Sequence, residues 1–322
     1  MKAYSVYGVE FLLESDFPRL VSEMDMDFGC FASRGDRPAG IVSVKKKTNV
    51  SDRIPDEAVF ERRSWFSEVY SFQGKTIILN SKKSFLVEVP SKDERGFVCY
   101  AERYSHHLFC TVRNLVKYMT VSLLEDEGVY YIHACAVRKK GKTAVVIAKP
   151  NFGKTRSLLS LINRDFRILT DDVVLLREDD ARILPFVIRA NVDSGHIEAF
   201  PKVKAAIEKL GIKMVKKWNF WFIPLTELFD IEKGEYKPDF IVNIKRWNSE
   251  DTKTEEADKG KMLAFLLASY SEFGSGVYFN STRTRADLFR FYSKMLDEVK
   301  TYDFYVGRNT EKFAEKFDEL FA

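Results

Sequence analysis

The stretch that decides the fold lies between an apolar run and a leucine-rich run, and it reads Ala148-Lys149-Pro150-Asn151-Phe152-Gly153-Lys154-Thr155. The β-branched run at 144–147 is typical of a buried strand, and residues 157–162 predict a helix. A strand, a loop ending in Gly-Lys-Thr and a helix together form the pattern of a phosphate-binding loop. The sequence therefore predicts nucleotide phosphate as a ligand. The alternative is a lysine-rich turn between two core elements.

The residue types in this loop fit that chemistry. Backbone N–H groups that converge where a helix starts favour an anion, and Gly153 keeps a side chain out of the way. Lys154 can place its ammonium between the β- and γ-phosphates, while the Thr155 hydroxyl can bind magnesium. Asn151 stands where many such loops have glycine, and Asn tolerates positive φ. The residues expected to bind the nucleotide are Ala148, Lys149, Pro150, Asn151, Phe152, Gly153, Lys154, Thr155 and Arg156.

Two adjacent carboxylates, Asp171 and Asp172, follow the loop after one predicted helix and one predicted strand. A strand starting near Phe166 and lying beside the loop strand would end at the edge of the sheet where open α/β folds bind ligands. One aspartate could then hold magnesium, while the other accepts a proton from an attacking hydroxyl. Strand alternation would send the two side chains to opposite faces unless the backbone bends there. A polar turn at a strand end is the alternative.

His133 lies in a predicted strand over 130–137, which would form a hairpin with the loop strand through residues 139–142. Hairpin pairing would bring this histidine near the phosphate edge. A neutral imidazole there could polarise the base or donate to a phosphoryl oxygen. The alternative is a core histidine with satisfied hydrogen bonds.

Taken together, the His-Ala strand, hairpin, phosphate loop, helix and Asp-Asp-Val strand resemble the catalytic core of the HPr kinase/phosphorylase family, over roughly residues 103–190. The resemblance implies an α/β P-loop kinase core of the kind shared with phosphoenolpyruvate carboxykinase, rather than a doubly wound Rossmann sheet. It implies that His133 assists the base, that Lys154 and Thr155 bind phosphate and magnesium, that Asp171 is the base and that Asp172 is a metal ligand.

The chain also departs from the pattern of that family. Arg156 follows Thr155 at a position where those kinases usually carry Glu, and their later glycine-bearing signature has no counterpart here. HPr is therefore not expected as the substrate, and neither is reverse phosphorolysis. An arginine commonly stabilises the transferred group in phosphoryl transfer. The unranked candidates for this role are Arg156, Arg189, Arg246, Arg283 and Arg285.

The sequence thus predicts an ATP- and magnesium-dependent kinase that acts on a hydroxyl, either on a protein or peptide serine or on a small alcohol. One alternative is a regulatory module that binds a nucleotide without catalysis. A lyase resembling phosphoenolpyruvate carboxykinase is a weaker alternative, because it needs a metal-binding Lys/His pair and His196 is the one histidine after the loop.

Composition sets the outer limits. With 322 residues, 45% of them hydrophobic, the chain can form one large or two modest domains. No apolar run approaches eighteen residues and no signal-peptide core precedes the fold, so a cytoplasmic protein without a membrane partner is expected. Four widely spaced cysteines are interpreted as reduced. A net charge of +4 does not favour nucleic acid, and homo-oligomerisation stays open.

Patterning divides the chain into a β-rich N-terminal region at 1–100, accessory or substrate-selecting, and a catalytic domain at 101–322. Strands are predicted at 4–13, 39–44, 65–72, 76–79, 84–89 and 240–244, and helices at 103–124, 201–210 and 311–321. The aromatic run at 216–225 fits either a pocket or core packing. The charged stretch at 249–259 is expected to be a surface loop or a lid.

Overall fold

The computed structural model describes residues 1–64, 67–90, 95–149, 152–215, 219–272, 279 and 283–322. The chain divides into two compact units, one formed by Met1–Glu127 with Gly274–Thr282 and the other by Gly128–Phe273 with Arg283–Ala322. Both units combine helices with β-sheet, so the predicted α/β class is confirmed at that level. Among the helices of the described residues, none has both the length and the apolar character needed to cross a bilayer.

The first unit is built on an eight-stranded sheet with the order β1-β2-β3-β8-β7-β6-β5-β4. Its strands are β1 (Lys2–Val6), β2 (Val9–Ser15), β3 (Gly40–Lys46), β4 (Val59–Arg63), β5 (Ser67–Phe72), β6 (Lys75–Asn80), β7 (Phe85–Val89) and β8 (Gly96–Ala101). The β-rich character predicted for this region is therefore observed. The single strand predicted over 4–13 was wrong, because Tyr7 and Gly8 both have positive φ and form the two-residue turn of a hairpin.

In the described part of the first unit, the α-helices are α1 (Pro18–Phe28) and α2 (His106–Asp126). The Ser105 side chain caps α2 by accepting a hydrogen bond from the backbone N–H of Leu108 at 3.1 Å. A buried ion pair of 2.9 Å between Arg113 and Asp27 joins the two helices. Because α2 packs with α1 in this unit, the observed division falls after residue 127 rather than near the expected residue 100.

The second unit contains a seven-stranded sheet with the order β17-β12-β10-β11-β18-β20-β19, a three-stranded sheet, β14-β13-β9, and the pair β15-β16. Its strands are β9 (Val129–Ile132), β10 (Ala134–Lys139), β11 (Lys142–Ala148), β12 (Arg167–Thr170), β13 (Val174–Arg177), β14 (Ile183–Leu184), β15 (Ala190–Asp193), β16 (Phe220–Ile223), β17 (Asp230–Ile231), β18 (Phe240–Arg246), β19 (Lys253–Glu256) and β20 (Lys300–Val306). Its helices are α3 (Lys154–Leu159), α4 (Pro201–Leu210), α5 (Lys259–Glu272), α6 (Arg285–Glu298) and α7 (Thr310–Asp318).

Strand alternation gives the seven-stranded sheet two buried faces. Cys135 and Val146 face a core shared with α3, α4 and α7. Their neighbours Ala136 and Val145 face a second core shared with α5, α6 and the three-stranded sheet. The loop strand β11 pairs in parallel with β18, and β18 pairs in parallel with β20. Three strands therefore end at one edge of the sheet, beside the predicted phosphate loop.

Of the other elements predicted from the sequence, some are present and one was wrong. The predicted helices at 201–210 and 311–321 match α4 and α7. The loop or lid expected at 249–259 was wrong, since β19 lies there and pairs antiparallel with β20. Its charged, largely exposed side chains are typical of an edge strand and weaken the strand signal in the sequence. Within the aromatic run, residues 216–218 lie outside the described residues, while Phe222 and Ile223 are buried in the core.

Candidate active site

The hairpin predicted before the loop is present. Strands β10 and β11 pair antiparallel through Lys140 and Gly141, whose φ angles of +47° and +82° suit a two-residue hairpin turn. Ala134 pairs with Ile147, so the start of β10 lies beside the end of β11. The continuous strand predicted over 130–137 was wrong, because the chain breaks at His133 and passes from the three-stranded to the seven-stranded sheet. This break places His133 at the edge where the loop begins.

The predicted phosphate loop runs from the end of β11 into α3. Ala148 is the buried last residue of β11, and Lys149 is exposed. Pro150 and Asn151 lie outside the described residues. Phe152 is half-buried, and its N–H donates to the Lys149 carbonyl at 3.0 Å.

Gly153 precedes α3 with φ +94°, a conformation that favours glycine. A Cβ atom at Gly153 would meet nothing within 4 Å, so backbone conformation rather than crowding within the chain accounts for the glycine. The helix expected at 157–162 instead begins at Lys154 and ends at Leu159. The Ser160 hydroxyl donates to the Ser157 carbonyl at 2.7 Å, and tighter turns follow. Helix α3 has only six residues, so its dipole is weak. An anion at this position would be held mainly by backbone amides and Lys154.

Lys154, His133 and Asp172 converge. The Lys154 ammonium, 12% exposed, lies 3.2 Å from His133 Nε2 and 3.7 Å from Asp172 Oδ1. The other ring nitrogen, His133 Nδ1, lies 3.3 Å from Asp172 Oδ1 and 3.0 Å from the Asp172 carbonyl oxygen. The start of α3, the break before β10 and the bend after β12 thus bring these three side chains into one cluster.

The two aspartates occupy a bend between β12 and β13. The Thr170 hydroxyl oxygen lies 2.7 Å from the Val173 carbonyl oxygen and 2.9 Å from the Phe186 carbonyl oxygen, so a bond donated to either one fixes this bend. Asp171 is buried with 6% exposure, whereas the Asp172 side chain is 30% exposed. The expectation that their strand lies beside the loop strand was wrong, because β10 lies between β12 and β11. The sheet edge nevertheless brings Asp172 to Lys154.

Cys135 belongs to the same neighbourhood. The pKa of its thiol is raised to about 12, mainly by burial, with the charge of Asp171 adding to the rise and that of Lys154 opposing it. This thiol is therefore neutral near pH 7. Cys135 is a free, buried cysteine.

A magnesium ion would find suitable donors here. The Thr155 hydroxyl and the Asp172 carboxylate are hard oxygen ligands of the kind that magnesium prefers. Within the described residues, no group of three His, Cys, Asp or Glu side chains is placed to hold a metal ion. Magnesium usually keeps several waters and takes further oxygens from substrate phosphates, so two protein oxygens are sufficient.

The candidate arginines occupy different surroundings. Arg156 is exposed and donates to the Arg308 carbonyl at 3.2 Å, and Arg285 is exposed at the start of α6. Arg189 is 7% exposed. Arg283 pairs with Glu178 at 2.9 Å.

Arg246 lies at the end of β18, with its guanidinium 5.4 Å from the centre of the Phe152 ring. Arg246 therefore reaches a side chain of the loop. No signal in the sequence ranks it above the other arginines.

Sequence comparison relates the chain to known proteins. The chain is 26% identical over 198 residues to an HPr kinase/phosphorylase of Chlorobium limicola. The aligned region covers 61% of this chain and 52% of that protein. The chain is related to the HPr kinase/phosphorylases. It is also 24% identical over 195 residues to the HPr kinase/phosphorylase of Chlorobium phaeovibrioides, covering 59% and 51% of the two chains. It spans about half the length of the curated relatives it matches. No protein-family model matches the sequence.

Proposed function

We propose that the second unit is an ATP-dependent kinase with a P-loop core of the HPr kinase type, which transfers the γ-phosphoryl group to a hydroxyl. The observation that carries the proposal is the convergence of Lys154, His133 and Asp172 within 4 Å beside the Gly153 turn. Phosphoryl transfer depends mainly on positioning and charge stabilisation, and this cluster supplies a cation and a carboxylate at one edge of the sheet. The related proteins are named as kinases, which supports the same activity.

The residues take separate roles in this proposal. The loop amides and Lys154 bind the β- and γ-phosphates, and Thr155 and Asp172 would hold magnesium, which when bound neutralises phosphate charge. Asp171 accepts the proton of the acceptor hydroxyl. The hydroxyl oxygen bonds to the γ-phosphorus as the bond between that phosphorus and the ADP oxygen breaks. His133 contacts both the side chain and the backbone carbonyl of Asp172, so it positions the bend that carries both acids.

The acceptor is a serine of a protein or peptide, or a small alcohol. Arg156 stands where the related kinases usually carry Glu, so HPr is not proposed as the acceptor. We assign the first unit an accessory or substrate-selecting role. Its eight-stranded sheet leaves the proposed catalytic groups entirely to the second unit.

Labelled ATP tests the proposal. The intact chain, incubated with magnesium, [γ-³²P]ATP and a library of peptides and small alcohols, should transfer label to at least one acceptor. Asp171→Asn should bind ATP normally and transfer at least about 100-fold more slowly, because general-base contributions are typically of this size. Asp297→Asn, an exposed carboxylate on α6, is the matched control and should keep the normal rate.

Three results would count against parts of this scheme. ATP binding without transfer to any acceptor would favour a nucleotide-sensing module. Normal transfer by Asp171→Asn would remove the base assignment. Loss of transfer with intact magnesium-dependent ATP binding in Asp172→Asn, rather than in Asp171→Asn, would reverse the two aspartate roles.

A further inference from the structure

A second concave site adjoins the loop on the side away from the aspartates. It has a volume of about 390 Å³ and lies where β18 and β20 end, against α5. Its size falls within the usual range for small-molecule pockets. Its lining includes the loop residues Lys149 and Phe152, together with Arg246, Phe265 and Tyr305. The pocket and the loop are therefore continuous.

The lining combines positive charge with aromatic rings. Four basic and two acidic side chains line the pocket, which gives a formal charge of +4 − 2 = +2. Three rings also line it, those of Phe152, Phe265 and Tyr305. Aromatic rings beside cations suit a planar heterocycle that carries an anionic group, because the rings stack on the heterocycle while the cations balance the charge.

A rigid polar network forms part of the lining. Asp303 accepts hydrogen bonds from the Asn243 amide at 2.9 Å and from Lys245 at 2.7 Å. Burial alone would lower the pKa of Lys245, but the hydrogen bond and the charge of Asp303 raise it above its usual value. Lys245 is thus charged near neutral pH, and its partner Asp303 also orients the Asn243 amide. Fixed hydrogen-bonding groups beside aromatic rings are typical of sites that orient a ligand.

Strand order fixes which end of a triphosphate would reach this pocket. The loop strand β11 has β10 and β12 on one side, with His133 and the aspartates, and β18 and β20 on the other. Neighbouring strands lie about 4.8 Å apart, so the pocket is about one to two strand spacings from the loop. A γ-phosphoryl group directed at Lys154 and Asp172 leaves the opposite end of the nucleotide on the β18 side.

We propose that this pocket binds the nucleoside of the triphosphate, with the base against the rings of Phe152, Phe265 and Tyr305. Lys149 and Arg246 then lie between the base and the phosphates bound by the loop. This inference rests on the proposed function, because it takes the loop as the phosphate site. It adds a nucleoside subsite built from β18, β20 and α5, none of which the loop motif reveals.

Calorimetry with two ligands separates the pocket from the loop. ATP should fill both sites, whereas inorganic tripolyphosphate should occupy the loop alone. In Phe265→Ala and in Tyr305→Ala the Kd for ATP should rise about 10-fold, in line with the loss of one stacked ring, while the Kd for tripolyphosphate stays unchanged. Retained tripolyphosphate binding shows that each variant is folded. Phe289→Ala, a 52% exposed ring on α6 outside the pocket, should change neither constant.

The outcomes distinguish the two proposals. If the wild-type chain binds tripolyphosphate as tightly as ATP, or if both pocket variants bind ATP normally, the nucleoside assignment is wrong while the loop remains the phosphate site. An equal weakening of both ligands in the pocket variants also contradicts the assignment. Failure of the wild-type chain to bind either ligand overturns the proposed function, and the pocket proposal with it.

Discussion

At the scale of single residues, His133 links a cation to an anion. Its Nε2 lies 3.2 Å from the Lys154 ammonium, which can only donate, so Nε2 must be the acceptor. Its Nδ1 lies 3.3 Å from the Asp172 carboxylate and 3.0 Å from the Asp172 carbonyl, which accept, so Nδ1 carries the proton. We infer this neutral tautomer from the hydrogen-bond network. The imidazole then holds both Lys154 and Asp172 without adding charge.

His133→Ala should therefore slow phosphoryl transfer more than it weakens ATP binding. We expect a decrease of about 100-fold in the single-turnover transfer rate, at the lower end of acid–base effects, because the aspartate bend loses its support. His107→Ala, a histidine of the first unit, provides the matched control and should transfer at the normal rate. An unchanged rate in His133→Ala would show that the imidazole has no part in the chemistry.

The sequence predicted much of this cluster. A hairpin and a loop at fixed spacing were enough to bring His133 near Lys154, and both elements are present. The different burial of Asp171 and Asp172 could not be predicted. It depends on the bend that Thr170 fixes through the Phe186 carbonyl, sixteen residues later, and local patterning carries no information about that contact.

At the scale of elements, helix α6 begins with a reciprocal cap. The Thr284 hydroxyl accepts from the Asp287 N–H at 3.2 Å, and the Asp287 carboxylate accepts from the Thr284 N–H at 2.9 Å. The helix then buries Leu288, Phe291 and Tyr292 against the core that also covers β10 and β11. Its start is thus fixed beside the sheet that carries the site.

Thr284→Ala should lower the free energy of unfolding by about 1 kcal/mol, the usual value for a lost threonine cap. Denaturant unfolding at pH 7 measures the change. Lys294→Ala, an exposed substitution on the same helix, should leave stability nearly unaltered.

The stability difference between wild type and Thr284→Ala should depend on pH. The hydrogen bond with the Thr284 side chain lowers the pKa of Asp287 from 3.8 to about 2, so the carboxylate stabilises the fold above about pH 4. That contribution is lost as the pH falls towards 2 and the carboxylate is protonated. The difference between wild type and Thr284→Ala should shrink over this interval. A constant difference from pH 7 to pH 2 would contradict the capping role of Asp287.

Elements were predicted well where their periodicity was strong. Helix α2 and the terminal helix α7 follow from apolar stripes in the sequence. Strand β19 was missed because its charged residues lie at a sheet edge and bury little. The break between β9 and β10 was missed because both segments are apolar, and only tertiary packing assigns them to different sheets.

At the scale of the whole molecule, the proposed chemistry lies within one unit. The loop, His133, both aspartates and the pocket all belong to residues 128–273 and 283–322. The predicted boundary near residue 100 lies before helix α2, whereas the observed division lies after it. The apolar stripe of α2 is equally compatible with packing against the preceding or the following part of the chain. Nucleotide binding is accordingly proposed as a property of the second unit.

Titration of the intact chain with magnesium and ATP tests that property most directly. Wild type and Lys204→Ala, an exposed lysine of α4, should bind ATP with equal affinity in calorimetry. Lys154→Ala should bind about 10-fold to 100-fold more weakly, because hydrogen bonds to a charged group contribute about 1.5 to 3 kcal/mol. Equal affinity in Lys154→Ala and wild type, or no binding by the wild-type chain, would contradict the assignment of this loop as a nucleotide phosphate site.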